Sequence, residues 1–239
     1  MQAAANSENF SNTEDWDDFD IFQESSDSAQ IPSEFAEDLL KQHVRSKEAY
    51  EEFSSNFLEA AMVLADEKGW QNFTLKDVAN EADIPFSWVR EHIPTKVALF
   101  KRLNRQIDQN AFKSNDSLKG VALRDNVFNL FMRRCDGLQA HRQGFLSLLH
   151  TIPLSPSLGS EFLTGNVESV TWIADIAGLD RKGIKGFFRL QALGILWAKV
   201  LRCWAKDENE ELESTMIALN EGLDQLEKFN LLISQEIEN

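Results

Sequence analysis

The sequence predicts an all-α fold in which a small helical domain precedes a larger one. Apolar residues recur three and four positions apart over most of the chain, and the alternation that is typical of strands is missing. Glycine, proline and serine interrupt this pattern where helices would end. We therefore expect a disordered acidic tail over residues 1–40, a three-helix domain over 45–112 and a second helical domain over 113–239.

The first forty residues contain 11 acidic residues and no lysine or arginine. Few apolar residues are available to offset the entropy cost of ordering, which predicts disorder. Trp16, Phe19 and Phe22 alternate with acids, as in segments that fold onto a basic partner. The tail could bind a further protein or compete for a basic face of its own chain. A solvating tail without specific contacts is the simpler alternative.

The small domain begins with a helix that we expect to end near Lys68. Gly69 follows it and suits the left-handed conformation that closes many helices. The residues that share its apolar face at helical spacing are Phe57, Ala60, Ala61 and Leu64.

Thr74 begins the second helix, because Asp77 lies three positions later in a variant of the capping box. The apolar stripe of this helix is Leu75, Val78, Ala79 and Ala82. Asp83 accepts left-handed geometry and Pro85 suits a first helical position, so a sharp turn is expected between the second and third helices.

The third helix is expected over residues 86–92, and Pro94 ends it. Thr95 then caps a longer fourth helix. Short helices joined by a tight turn form the outline of a helix-turn-helix, which delivers one helix into a DNA groove.

Residues 50–105 share an ordered set of features with one family: Ala60-Ala61, Gly69, Thr74, Val78-Ala79, Ala82 and the series His92, Pro94, Lys96. In this respect the chain resembles the N-terminal domain of the TetR family of transcriptional regulators. The resemblance implies a TetR-like fold, a homodimer that reads a palindromic operator in double-stranded DNA, and a C-terminal domain for dimerisation and for a small hydrophobic ligand.

The departures from the family pattern lie on the surface that would face DNA. Asp83 replaces a usual Gly, Pro85 a Ser, Arg90 a phosphate-binding Tyr and Ile93 a Phe. Arg90 could replace the Tyr as a phosphate anchor, since a guanidinium binds phosphate in bidentate fashion. Trp88 replaces a small Thr or Ser and leaves three alternatives: packing between helices, contact with a thymine methyl, or lost DNA binding.

Charge gives limited support to DNA binding. The chain has 24 Lys and Arg against 39 Asp and Glu, a net charge of −15, whereas residues 74–105 contain six bases and four acids. This weakly basic segment suits a dimer that adds two half-sites, and equally a domain that no longer meets DNA. The residues expected closest to DNA are Thr74, Lys76, Ser87, Trp88, Arg90, His92 and Lys96. Lys96 is assigned to phosphate and Ser87 to a base or the DNA backbone, with a solvated or packed side chain as the alternative for each.

Five helices are expected in the larger domain, over residues 121–139, 142–150, 158–177, 181–206 and 209–235. The fourth is apolar around nearly its whole circumference and must be buried on all sides. Its residues expected at a ligand cavity or dimer interface are Phe187, Leu190, Leu193, Trp197, Leu201 and Trp204, with a place in the intramolecular core as the alternative for most of them. In the fifth, a seam for a partner helix is formed by Leu212, Met216, Leu219, Leu223 and Leu226.

A second, diffuse resemblance covers this larger domain. It is carried by Arg124-Asp125-Asn126, residues 141–149, the loop with Pro153 and Pro156, and the run 172–223. These segments are similar to ubiquinone-biosynthesis accessory proteins that share the TetR fold. That likeness implies a non-catalytic protein that carries a lipid or quinone precursor in the same cavity and docks to membranes through a C-terminal amphipathic helix.

No catalytic or metal motif is found in the sequence. The two cysteines and four histidines lack ligand spacing, and no nucleophile elbow or phosphate loop occurs. We therefore expect no enzyme activity and no cofactor. The N-terminal residues lack a signal-peptide pattern, so a cytoplasmic location is expected. Of the two remaining functions, the regulator is favoured over the lipid carrier by Thr74, Lys96 and the basic residues after it.

Overall fold

The computed structural model describes residues 33–113 and 121–234, with side chains from residue 49 onward. The described part contains nine α-helices and no sheet, which confirms the all-α prediction. They are α1 (Ser33–Lys68), α2 (Leu75–Glu81), α3 (Phe86–His92), α4 (Lys96–Phe112), α5 (Leu123–Gln139), α6 (Arg142–Thr151), α7 (Pro156–Ala177), α8 (Gly183–Trp204) and α9 (Glu213–Lys228).

Helix α1 begins at Ser33, inside the segment 1–40 for which composition predicts disorder. Residues 33–40 include Glu, Ala and Leu, which are strong helix formers. A prediction from the composition of the whole acidic tail does not register this local helix propensity. The aromatic residues Trp16, Phe19 and Phe22 lie outside the described residues. Of the described residues, 49–113 and 121–234 belong to one compact unit, and the features below lie within it.

The helix ends in the small domain are as the sequence predicts. Helix α1 ends at Lys68, and Gly69 has a φ of +83°. The hydroxyl of Thr74 accepts from the Asp77 N–H while the Asp77 carboxylate accepts from the Thr74 N–H, so the capping box is present. Asp83 has a φ of +53°, as expected for the turn.

Two details of the turn and the next helix complete this domain. Pro85 is the N-cap of α3, one position earlier than the first helical position that the sequence predicts. The Thr95 hydroxyl accepts from the Ala98 N–H and caps α4, as predicted. The core under these helices includes Phe57, Trp70 and Val89, which are at most 1% exposed.

All five helices predicted for the larger domain are present as α5 to α9, although α9 ends at Lys228 and not at 235. Helix α4 packs against α5 and α7, so the described helices on both sides of it share one core. The leucine seam of α9 packs within the chain against α8 and α5, with Leu219 and Leu223 fully buried. The partner helix that the seam requires is therefore supplied by the same chain.

Helix α8 departs from the prediction that it is buried on all sides. Leu193, Trp197 and Trp204 are buried as expected, but one face is open to solvent. Phe187 and Phe188 are each 59% exposed and Ile195 is 73% exposed. The reason is geometric: α5, α7 and α9 pack against the buried sides of α8, and no helix of the described chain covers the remaining side. Exposed apolar residues grouped on one helix face are typical of an interaction surface.

Candidate nucleic-acid interface and apolar groove

Helix α3 presents one polar face outward from the small domain. Ser87, Arg90 and Glu91 are exposed on this face, and Phe86 is 50% exposed at its first turn. Val89 is fully buried on the opposite side and anchors the helix to the core. Phe86 is not among the residues that the sequence predicts at this surface. Its position at the first turn of a helix too short to bury every apolar residue is the signal that could have found it.

Trp88 faces away from this outward surface and belongs to an aromatic cluster between α1 and α3. Its ring is stacked on His92, with centroids 4.7 Å apart, and meets Phe53 edge-on at 5.9 Å. Tyr50 lies 5.8 Å from Trp88 and 5.2 Å from His92. Phe57 closes the cluster from below at 6.4 Å. Trp88 is thus packed between helices, which is the first of the three alternatives.

His92 is fixed within the same cluster. One ring nitrogen, Nδ1, lies 2.9 Å from the Trp88 carbonyl oxygen, and the side chain is only partly exposed. The structure therefore separates the predicted DNA-contacting residues into two groups. Ser87 and Arg90 are on the outward face of α3, whereas Trp88 and His92 support that helix from behind.

The other predicted contacts lie beside α3, at the starts of α2 and α4. Lys76 is exposed in the first turn of α2, next to the capping box of Thr74. Lys96 begins α4 and is partly buried: its Nζ donates to the Trp70 carbonyl at 2.6 Å and lies 4.1 Å from the centre of the Phe73 ring. Burial lowers the pKa of Lys96, and the charge of Asp77 partly opposes this shift.

The start of α6 packs against the end of α1 and is hydrogen-bonded to it. Asp66 accepts from the Gly144 N–H and lies 2.9 Å from Nδ1 of His141. The Ser147 hydroxyl accepts from the Trp70 N–H at 2.7 Å. The contact is close, because a Cβ on Gly144 would lie 3.0 Å from side-chain atoms of α1. A shift of α6 would therefore move the base of the small domain.

An apolar groove of about 610 Å³ runs between α7 and α8 and reaches the end of α6. This volume is within the range of small-molecule sites in proteins. Of the six predicted cavity or interface residues, Leu190, Trp197 and Leu201 line the groove. Leu193 is in the core, Trp204 lines a smaller inner void with Trp197, and Phe187 is on the open face of α8.

Two solved structures share this fold. The TetR transcriptional regulator from Nitrosomonas europaea ATCC 19718 is 16% identical, with a TM-score of 0.62 over 72% of this chain and 96% of that one. A TetR transcriptional regulator from Rhodococcus sp. RHA1 is 21% identical, with a TM-score of 0.53 over 76% of this chain and 98% of that one. At these identities the likeness establishes the TetR fold. No family model and no curated protein matches the sequence.

The described residues contain neither a candidate membrane span nor a candidate metal cluster. None of the helices in the described ranges is long and apolar enough to cross a membrane. Across the same part of the chain, no cluster of His, Cys, Asp and Glu has the geometry of a metal site.

Proposed function

We propose that this protein is a dimeric DNA-binding transcriptional regulator that responds to an apolar small molecule. The observation that supports the proposal most strongly is the outward polar face of α3, presented on a helix that is held rigidly from behind. A reading helix needs both properties, because base contacts require a fixed register against the DNA groove. Ser87, Arg90 and Phe86 on this face suit a hydroxyl contact, a phosphate or guanine contact and a thymine-methyl contact respectively.

Lys76 and Lys96 flank the reading helix and are assigned to DNA phosphates. Lys96 uses one Nζ proton for the Trp70 carbonyl, and two protons remain for phosphate. The internal contact fixes the ammonium group in advance, which reduces the entropy lost on binding. Thr74 supports this edge through its capping box, since its hydroxyl is already engaged with Asp77.

Two half-sites are needed because one reading head is only weakly basic. The open face of α8 suits a second copy of the chain: an isologous contact would cover Phe187, Phe188 and Ile195 on both protomers. Dimerisation would add the affinities of two reading heads and require a palindromic site.

An effector in the groove would act through α6 and α8. Leu149 at the end of α6 lines the groove, while Ser147 and Gly144 on the same helix contact the small domain. Ile195 of α8 belongs both to the groove and to the open face. Occupation of the groove would therefore change the spacing of two reading heads. Effector and operator would prefer different spacings, which is the condition for allosteric coupling.

The Lys96→Ala variant tests the DNA-binding part of the proposal. Affinity should fall for all sequences alike, and the slope of log affinity against log salt should flatten by about one unit. Lys199→Ala, which removes an exposed lysine from α8, should leave both quantities unchanged. Because Lys96 also contacts Trp70, the melting temperature of each variant should be measured beside DNA binding. A Lys96→Ala effect limited to base preference would contradict the phosphate assignment.

Lipid carriage is a second candidate, favoured by the groove and by the exposed apolar residues around it. The C-terminal amphipathic helix of the described chain, α9, turns its leucine seam toward α8 and α5, so this apolar side is already covered within the chain. Extraction of the purified protein would decide between the functions. Recovery of a lipid in near-equal amount, together with no enriched DNA sequence, would favour the carrier.

A further inference from the structure

A buried arginine lies directly behind the apolar groove. Arg134 of α5 is 2% exposed, and its guanidinium is 4.9 Å from the ring centre of Trp197. Its Nη2 donates to Oδ1 of Asn104 at 2.5 Å, and its Nε lies 3.3 Å from Oδ1 of Asp108. Like its Nε, its Nη1 has no hydrogen-bond partner in the described part of the chain. A buried charged donor without a partner is costly, so this atom requires an explanation.

The side chain of Arg134, whose Nη1 lacks an acceptor, lines a small void. About 30 Å³ of space is enclosed there, chiefly by apolar side chains from α4 to α8. The two asparagines that line it have partners: Asn104 accepts from Arg134, and Asn166 accepts from Trp197 Nε1 at 2.6 Å. The group that the void offers to a guest is therefore a hydrogen-bond donor.

The void and the groove share one wall. Leu149, Phe162, Asn166, Trp197 and Leu201 line both of them. Leu149, Phe162 and Leu201 are only partly buried, so rotation of these side chains would open the void to the groove. A molecule in the groove could then place one end against Arg134.

Size and charge define the end group that fits. A space of this volume has room for about one to two water molecules, which suits a single carbonyl oxygen and not the four oxygens of a phosphate or sulfate. The charge of Arg134 is already balanced by Asp108, so an anionic guest would add an uncompensated charge to a buried site. A neutral carbonyl oxygen supplies the missing acceptor without adding charge.

We propose that the effector is a neutral, mainly apolar molecule with a carbonyl oxygen, which accepts a hydrogen bond from Nη1 of Arg134 while its apolar part occupies the α7–α8 groove. That the bound molecule is an effector rests on the proposed function, whereas its binding to the groove and to Arg134 does not depend on DNA. Ketones, esters, lactones and quinones belong to the class.

The probes are decan-2-one labelled with ¹³C at the carbonyl and decanoate of the same chain length, at pH 8. Equilibrium dialysis against the full chain should show decan-2-one binding about tenfold or more tightly than decanoate. Tighter binding of decanoate would overturn the proposal and indicate an anion site, for which the exposed Arg202 at the groove is the available partner. Failure of decan-2-one to bind would also overturn it.

Two pairs of variants locate the two ends of the ligand. Asp108→Asn retains the Arg134 donor and should bind decan-2-one, whereas Arg134→Met/Asp108→Asn should bind it about tenfold or more weakly without leaving an unpaired buried charge. In the groove, a Cβ on Gly194 meets nothing within 4 Å. Gly194→Leu should fill the groove and abolish binding, and Gly194→Ala should retain it. Equal binding by either pair would overturn the proposal.

A spectroscopic measurement on the unmodified protein decides the question even where a variant fails to fold. The ¹³C carbonyl stretch of bound decan-2-one should lie at lower frequency than in hexane, because a guanidinium donor weakens the C=O bond. An unshifted band would overturn the proposal. Since these measurements need no DNA, ketone binding without DNA binding would reject the regulator and leave this inference in place, and the converse result would do the opposite.

Discussion

Replacing Trp88 tests whether α3 is held from behind by the aromatic cluster. Trp88 contacts the rings of Tyr50, Phe53 and Phe57 and stacks on His92, so Trp88→Ala removes four ring contacts together. Truncating a fully buried Trp side chain to Ala lowers the free energy of unfolding by about 3–5 kcal/mol. Because Trp88 is only partly buried, we expect a loss of about 2–3 kcal/mol in the free energy of unfolding.

The measurement is urea unfolding followed by circular dichroism, with DNA affinity measured on the same samples. Trp88→Phe should retain roughly half of the lost stability, since a smaller ring keeps part of the cluster. Phe86→Ala is the matched control on the same helix: it removes a half-exposed ring and should change stability by no more than about 0.5 kcal/mol. If Trp88→Ala left the unfolding midpoint unchanged and altered only base preference, Trp88 would be a DNA contact and the supporting role would be wrong.

Two further predictions concern backbone features. Thr74→Ala removes the hydroxyl that caps α2 and should lower stability by about 1 kcal/mol in urea unfolding. The side-chain and backbone hydrogen bonds of Thr74 hold the pKa of Asp77 below its usual value, so the bonds that the Asp77 carboxylate accepts stabilise the protein above the ordinary aspartate pKa and are lost as pH falls through the lowered one. A Thr74→Ala penalty that persisted unchanged at pH 2 would contradict this. Gly186→Ala places a Cβ 2.0 Å from the Arg181 carbonyl carbon and should lower the melting temperature by several degrees. Gly194→Ala is the control, because its Cβ lies in open space and should leave the melting temperature unchanged. Equal melting temperatures of the two variants would contradict the predicted clash and show that the loop before α8 can move.

The helix ends between Lys68 and Thr95 could be predicted from the sequence because the deciding interactions are local. Gly69, Asp83 and the Thr74 capping box act within a few residues of their own positions, and each has the predicted geometry. The location of Trp88 could not be predicted in this way. It depends on α1 extending far enough toward its N-terminus to bring Tyr50 and Phe53 against α3, and these residues are about 35 positions away in sequence.

The candidate sites show the same division. Exposure of Ser87 and Arg90 follows from helical spacing around the buried Val89. The hydrogen-bond donor of Arg134 behind the groove could not be predicted from helical spacing, because it depends on contacts among α4, α5 and α7. An arginine within an amphipathic pattern is read from sequence as a solvated side chain, and only packing of the larger domain shows that it is buried and incompletely paired.

The most direct measurement is selection of DNA fragments from a random library by the full-length protein at low salt, followed by sequencing. A palindrome with two half-sites should be enriched, and Ser87→Ala/Arg90→Ala should lose that enrichment at unchanged melting temperature. Failure to enrich any sequence, or an identical motif recovered by the double variant, would contradict the assignment of the outward face of α3 as a DNA-reading surface.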